Sequence, residues 1–262
     1  MTRSLPATVA AVCTTFLSAV PEGLVSGLYL HGGLAFGEWV EGKSDIDFTA
    51  ALARRPGADE VASLRAAHEA VAAAYGDSPM FDGVHLLAAD LARPPDECPD
   101  RPTVFLHTFE PTGRFALSPV SWHELARHGV TVAGPPIGSL RIWTDDDVLR
   151  AYTVDNLDTY WRRHAETCAA DPDQASVPFA CEWVVPGVAR LHHLLVTRQQ
   201  TSKSRAVRWA LEYYPERFHR VLRESLAIRA GAFEAQYDDV HERGRDVGEF
   251  ASYVVAEGVN LR

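Results

Sequence analysis

The chain has 262 residues, 47% of them hydrophobic, with 25 Lys and Arg against 35 Asp and Glu. That length favours two compact units, each able to bury its own core. A formal charge of −10 excludes a dedicated nucleic-acid binder, which needs clustered cations, and no apolar run reaches the roughly eighteen residues of a membrane helix.

Near the start, Thr8, Thr14, Thr15 and Ser18 interrupt an apolar stretch, while Val9, Val12, Phe16, Leu17 and Val20 keep helical spacing up to Pro21. An amphipathic first helix is expected there rather than a secretion signal. Leu28-Tyr29-Leu30 reads as a strand running into Gly32-Gly33, residues 45–52 as a second strand, and residues 58–75 as an alanine-rich helix ended by Gly76. A third strand is expected over residues 84–88, a proline-rich loop over 91–102 and a fourth strand over 103–109. Ser121-Trp122-His123-Glu124 has the form of a capping box and predicts a short helix ending near Gly129.

The turn Gly134-Pro135-Pro136 and the segment to Ile142 form the expected linker. Beyond it the signals are helical: Thr144 before three aspartates, residues 179–197, a helix from Ser202 through Trp209 to Tyr214, one opened by Pro215 and stopped at Gly231, and a last helical stretch over 234–257. The expected fold class is α+β: a mixed β-sheet with flanking helices over residues 1–142, then an all-α bundle over 143–262. Cys13, Cys98, Cys168 and Cys181 show no CxxC pairing, which fits reduced thiols and a cytoplasmic setting.

The chemistry lies in His31-Gly32-Gly33-Leu34 followed by Gly42-Lys43-Ser44-Asp45-Ile46-Asp47. Side chains alternate along a strand, so Asp45 and Asp47 share a face. Two carboxylates side by side repel unless a cation lies between them, and Mg²⁺ suits a carboxylate pair plus nucleotide phosphates. Gly32 and Gly33 stand at a strand end, where backbone N–H groups are able to approach phosphate oxygens. A third carboxylate, Asp82, precedes the apolar run Val84-His85-Leu86-Leu87. Taken alone, Asp82-Gly83 reads equally well as a β-turn, and Asp-x-Asp as a solvated strand.

A strand, a glycine pair and an Asp-x-Asp about a dozen residues on resemble the signature of the DNA polymerase β-like nucleotidyltransferases. The C-terminal half adds Val188-Ala189-Arg190-Leu191, Thr201-Ser202-Lys203-Ser204-Arg205-Ala206 and Trp209-Ala210-Leu211, which look like the helical domain of the AadA-type aminoglycoside adenylyltransferases. The resemblance covers nearly the whole chain. It implies transfer of AMP from ATP to a hydroxyl of a cationic, aminoglycoside-like molecule of the streptomycin or spectinomycin kind, by a monomer or weak dimer with no nucleic-acid or membrane partner. By the same resemblance, Asp45, Asp47 and Asp82 hold Mg²⁺ and Asp82 doubles as general base. Gly32, Gly33, Ser44, Arg190 and Lys203 bind the nucleotide, and Glu182, Trp183 and Phe109 face the acceptor. A lysine at a helix N-terminus is electrostatically out of place without an anion, which agrees with a phosphate contact for Lys203.

The chain departs from that family at two places. Gly33 stands where a serine usually follows the first glycine, and Asp82 replaces a glutamate one methylene longer. Transfer to another metabolite or to a protein, and an inactive nucleotide-binding scaffold, are the competing expectations.

Overall fold

A computed structural model describes residues 4–232 and 236–261. The chain divides into two compact units, Met1–Asp145 and Asp146–Arg262.

The first unit runs α1 (Ala7–Ala19), β1 (Val25–Leu30), α2 (Gly32–Ala35), β2 (Ile46–Leu52), α3 (Ala58–Tyr75), β3 (Phe81–Leu87), β4 (Arg101–Phe105), β5 (Thr108–Gly113), α4 (Pro119–His128) and β6 (Val130–Ala133). Its six strands form one sheet in the order β5-β4-β3-β2-β1-β6. Among the described residues only β2 and β3 pair in parallel, and α3 supplies the crossover that a parallel pair requires. Alternation along the strands gives the sheet two buried faces. Leu28, Leu30, Ile46, Phe48 and Phe81 pack with Val9, Val12 and Phe16 of α1 and Leu64 of α3. Tyr29, Ala51, Val84 and Leu86 pack on the other face with Trp122 and Leu125 of α4. Asp47 and Asp82, in step with Ala51 and Val84, belong to the α4 face.

Four expectations for this unit need correction. β3 begins at Phe81, so Asp82-Gly83 lies inside a strand and is no turn; a Cβ on Gly83 would come within 2.0 Å of the Phe48 carbonyl oxygen, and only glycine allows so close a neighbour. The single strand expected over 103–109 is a hairpin, β4 and β5, turning at Leu106-His107. The helix read from Ser121 starts at Pro119: Ser118 is its cap and accepts the Ser121 N–H, which frees Glu124 to point inward. The short β6, unanticipated, closes the sheet edge beside β1.

The second unit is helical: α5 (Asp146–Asn156), a π-turn over Leu157–Trp161, α6 (Arg162–Ala170), α7 (Pro172–Ala175), α8 (Pro178–Thr197), α9 (Lys203–Tyr213), α10 (His219–Arg229) and α11 (Val240–Val259). Val185, Val188, Ala189, Val207, Leu222, Phe250 and Val254 lie in its core. Pro215 opens a 3₁₀ turn before α10, and the expected start of the last helical stretch at Glu234 lies outside the described residues. His192 is buried and hydrogen-bonds the Tyr214 hydroxyl, while His193 meets the Gln199 carbonyl, so the adjacent histidines serve different neighbours. Among the described residues no helix is long and apolar enough to cross a membrane.

Candidate active site

The first unit gathers its chemistry at the start of the parallel strand pair. Asp47 of β2 and Asp82 of β3 are partners in register, one residue into each strand. Neighbouring strands lie about 4.8 Å apart, so the two carboxylates stand side by side on the α4 face. Asp45 lies just before β2, exposed, in step with Asp47.

Asp82 is the buried member, 4% exposed. Its Oδ2 accepts the Leu106 N–H at 3.1 Å, whereas its Oδ1 is buried with no hydrogen-bond partner. Burial pushes the Asp82 carboxyl up to about 6; the Leu106 N–H and His107 oppose this, and the charges of Asp45 and Asp47 add to it. An acid in that range ionises near neutral pH and makes an effective general base. The donor comes from a strained turn. Leu106 and His107 both have left-handed φ, 48° and 61°, where a side chain costs roughly 1–3 kcal/mol per residue. His107 Nε2 also meets the Asp77 carbonyl at 3.3 Å, which ties the hairpin tip to the chain leading into β3.

The glycine turn sits against Asp47. Gly32 has φ +60°, and a Cβ there would fall 1.8 Å from Asp47 Oδ2, so only glycine leaves that carboxylate its place. The Gly32 N–H donates to Glu124 Oε2 at 3.2 Å. His31 faces the same oxygen through Nδ1 at 3.6 Å. Burial pulls the His31 pKa down, but Glu124 and the negative charge of Asp47 outweigh burial and leave it raised. Ser44, expected at the nucleotide, accepts the Val40 N–H with its hydroxyl and braces the loop before Asp45.

An unmatched carboxylate oxygen beside a second carboxylate fits a hard, oxygen-seeking cation such as Mg²⁺. Among the described residues no group of three or more His, Cys, Asp or Glu side chains is gathered closely enough to hold an ion alone. A Mg²⁺ here would therefore draw on phosphate and water oxygens as well, as this ion commonly does.

Of the expected acceptor residues, Phe109 is displaced. It is buried on the α1–α3 face, opposite Asp82, with the Arg65 guanidinium over its ring at 4.8 Å. The β4 alternation puts Phe105 on the Asp82 face instead, 48% exposed, with the Phe115 ring at 4.5 Å. Asp90, in the loop after β3, is bound by Arg101 in a buried ion pair at 2.7 Å and takes no part in the cluster.

In the second unit, Glu182 is not an unmatched carboxylate: Arg229 lies 3.7 Å away. Trp183 belongs to an aromatic group with Trp161 and His164, stacked at 8° against Phe179, whose ring is 70% exposed. Arg190 is half-buried on α8, and Lys203 is the first residue of α9, whose cap is the Ser202 hydroxyl.

The chain joins a mixed sheet with two aspartates in register on its parallel pair to a helical second unit. It is similar in fold to the crystal structure of spectinomycin adenyltransferase AAD(9) from Enterococcus faecialis with ATP and spectinomycin, at a TM-score of 0.62 and 12% identity over 94% of this chain and 98% of that one. Residues 174–257 match the family described as aminoglycoside adenylyltransferase, C-terminal domain. No curated protein matches it in sequence.

Proposed function

We propose that this enzyme transfers AMP from ATP to a hydroxyl of a cationic aminoglycoside-like molecule, of the streptomycin or spectinomycin kind, and releases pyrophosphate. The observation that carries this reading is the register pair Asp47–Asp82 with its unmatched Asp82 Oδ1. The AAD(9) structure, which contains ATP and spectinomycin, supports the choice of nucleotide and acceptor.

Asp47 and Asp82, with Asp45, would hold Mg²⁺, which when bound neutralises charge on the phosphates. Asp82 accepts the proton of the acceptor hydroxyl as its oxygen attacks the α-phosphorus; the bond to the leaving pyrophosphate breaks, and Asp82 returns the proton to solvent. The Leu106 N–H engages Oδ2, and Oδ1 has no protein donor of its own. Lys203 and Arg190 steady the triphosphate. Gly33 has no side chain to crowd the turn, and Ser44 shapes the loop that carries Asp45. Phe105 with Phe115, and Trp183 with Phe179, offer aromatic faces suited to a cationic acceptor. Glu182 contributes through its pair with Arg229.

The test is incubation with ATP, Mg²⁺ and either streptomycin or spectinomycin, reading pyrophosphate and the mass of the drug. Addition of one AMP residue to a drug, lost in Asp47→Asn, supports the reading. Unmodified drugs alongside an AMP-bearing protein or metabolite would replace the acceptor; ATP binding with no transfer to any acceptor would sink the enzyme reading.

A further inference from the structure

Glu124 has no part in the reaction as described, yet it lies against the site. It projects from α4 and is 6% exposed. A carboxylate this deep costs several kcal/mol unless it is matched. Two of its contacts are the Gly32 N–H at 3.2 Å and His31 Nδ1 at 3.6 Å, and His31 is itself buried. These are the residues on which Asp47 rests. The His31 N–H donates to the Asp47 carbonyl at 3.0 Å, and a Cβ added to Gly32 would fall 1.8 Å from Asp47 Oδ2. One contact holds the main chain of Asp47 and the other bounds its side chain.

We propose that Glu124 and His31 are positioning residues for nucleotidyl transfer: Glu124 anchors the His31-Gly32 turn, and the turn sets the placement of the Asp47 carboxylate. This rests on the nucleotidyl-transfer reading and adds two residues that act through Asp47 without touching the substrate. A turn that shifts by about 1 Å would leave ATP bound but badly aligned, and misalignment of that size costs about 100-fold in rate. The effect should therefore fall on kcat and spare KM. A mere fastening of α4 to the sheet would lower stability and leave kcat alone.

Two variants separate these cases. Glu124→Ala removes the acceptor for the Gly32 N–H; Glu124→Gln keeps an acceptor and removes the charge. Each is assayed with Mg²⁺, ATP and spectinomycin at a temperature where circular dichroism shows it folded. The Gly32 amide exchange rate and the ¹³C signal of the Asp47 carboxyl are read in the ligand-free protein. Glu124→Ala should lose Gly32 protection, shift the Asp47 signal and drop kcat about 100-fold, with KM for ATP within about 3-fold. Glu124→Gln should keep protection and recover kcat to within about 10-fold of the parent. A folded Glu124→Ala with parental kcat overturns the proposal. If Glu124→Ala does not fold, Glu124→Gln decides: lost Gly32 protection with unchanged kcat overturns it, and a kcat that follows protection supports it. Should the parent itself transfer no AMP, the reaction reading fails separately. The Asp47 signal then judges the anchor: moved by Ala and not by Gln it stands, unmoved it falls.

Discussion

Asp47 and Asp82 are register partners on the sheet's parallel strand pair, β2 and β3, so the backbone itself holds the two carboxylates side by side. Like charges placed directly opposite each other across strands are destabilising. Asp47→Asn should therefore leave the fold intact and raise Tm slightly, by about 2–4 °C per kcal/mol relieved. Turnover should fall about 100- to 1,000-fold or more, the scale on which losing one electrostatic group in an active site is felt. A Tm that falls by several degrees would show Asp47 to be a structural residue, and the opposition of activity to stability would be lost.

The two glycines of the turn should respond differently to alanine. At Gly32 a Cβ meets Asp47 Oδ2 at 1.8 Å and the backbone has φ +60°. Gly32→Ala must displace Asp47 and bear a strained backbone of about 1 kcal/mol or more, so activity and stability should both drop. At Gly33 the nearest atom is the Glu38 carbonyl oxygen at 3.3 Å and φ is ordinary. Gly33→Ala and Gly33→Ser should fold, with Tm within a few degrees of the parent, and Gly33→Ser should bind ATP at least as well if its hydroxyl reaches a phosphate. Equal damage at both positions in a thermal melt and an ATP titration would contradict this reading of the turn.

How far these features could be read from the residues depends on whether they are local. Asp45 and Asp47 follow from strand alternation, and Gly76 ends its helix with the positive φ of 71° that its position called for. The hairpin at Leu106-His107 was illegible because its turn carries neither Gly nor Asn, the usual marks of two left-handed residues. Glu124 satisfied a local pattern, the capping box, and its contact with Gly32, 92 residues away, leaves no trace in either segment. Phe109 is assigned by resemblance alone, and the strand break at 106–107 sets it on the face away from Asp82. The partner of Glu182, Arg229, comes from another helix, so its charge appeared unmatched.

The strained turn gives its own prediction. Replacing Leu106→Asn together with His107→Gly supplies the pair that two left-handed positions favour, and should stabilise the first unit by about 1–2 kcal/mol. The backbone N–H at position 106 remains, so Asp82 keeps its donor and kcat should stay within about 3-fold, a shift of under 1 kcal/mol. Thermal unfolding and steady-state rates check both halves. A lower Tm would mean that the side chains of Leu106 and His107 contribute more than the backbone strain costs.

On the sheet face opposite Asp82, His68 and His85 meet through their Nε2 atoms at 3.1 Å, among Phe16, Phe48, Phe81 and Phe109. His85 Nδ1 lies 3.1 Å from the Pro102 carbonyl, so that nitrogen carries the proton and Nε2 accepts from His68. Burial holds both below the usual 6.5: His85 at about 4 despite its bond to the Pro102 carbonyl, and His68 well below its ordinary value, where the charge of His85 lowers it further. The unfolded chain then binds more protons than the folded one between these values. Stability from the pair is complete above pH 6.5 and is lost as pH falls from 6.5 towards 4, at up to about 1.4 kcal/mol per pH unit per histidine. Asp82 runs the other way: its carboxyl is raised from 3.8 to about 6, so its contribution falls as pH rises across that span. The histidines are therefore best measured in an Asp82→Asn background. There, unfolding free energy should fall steeply from pH 6.5 to 4, and His68→Leu with His85→Leu should flatten that slope whatever it does to stability at pH 7. An unchanged slope would place the acid sensitivity of this unit elsewhere than in the buried imidazoles.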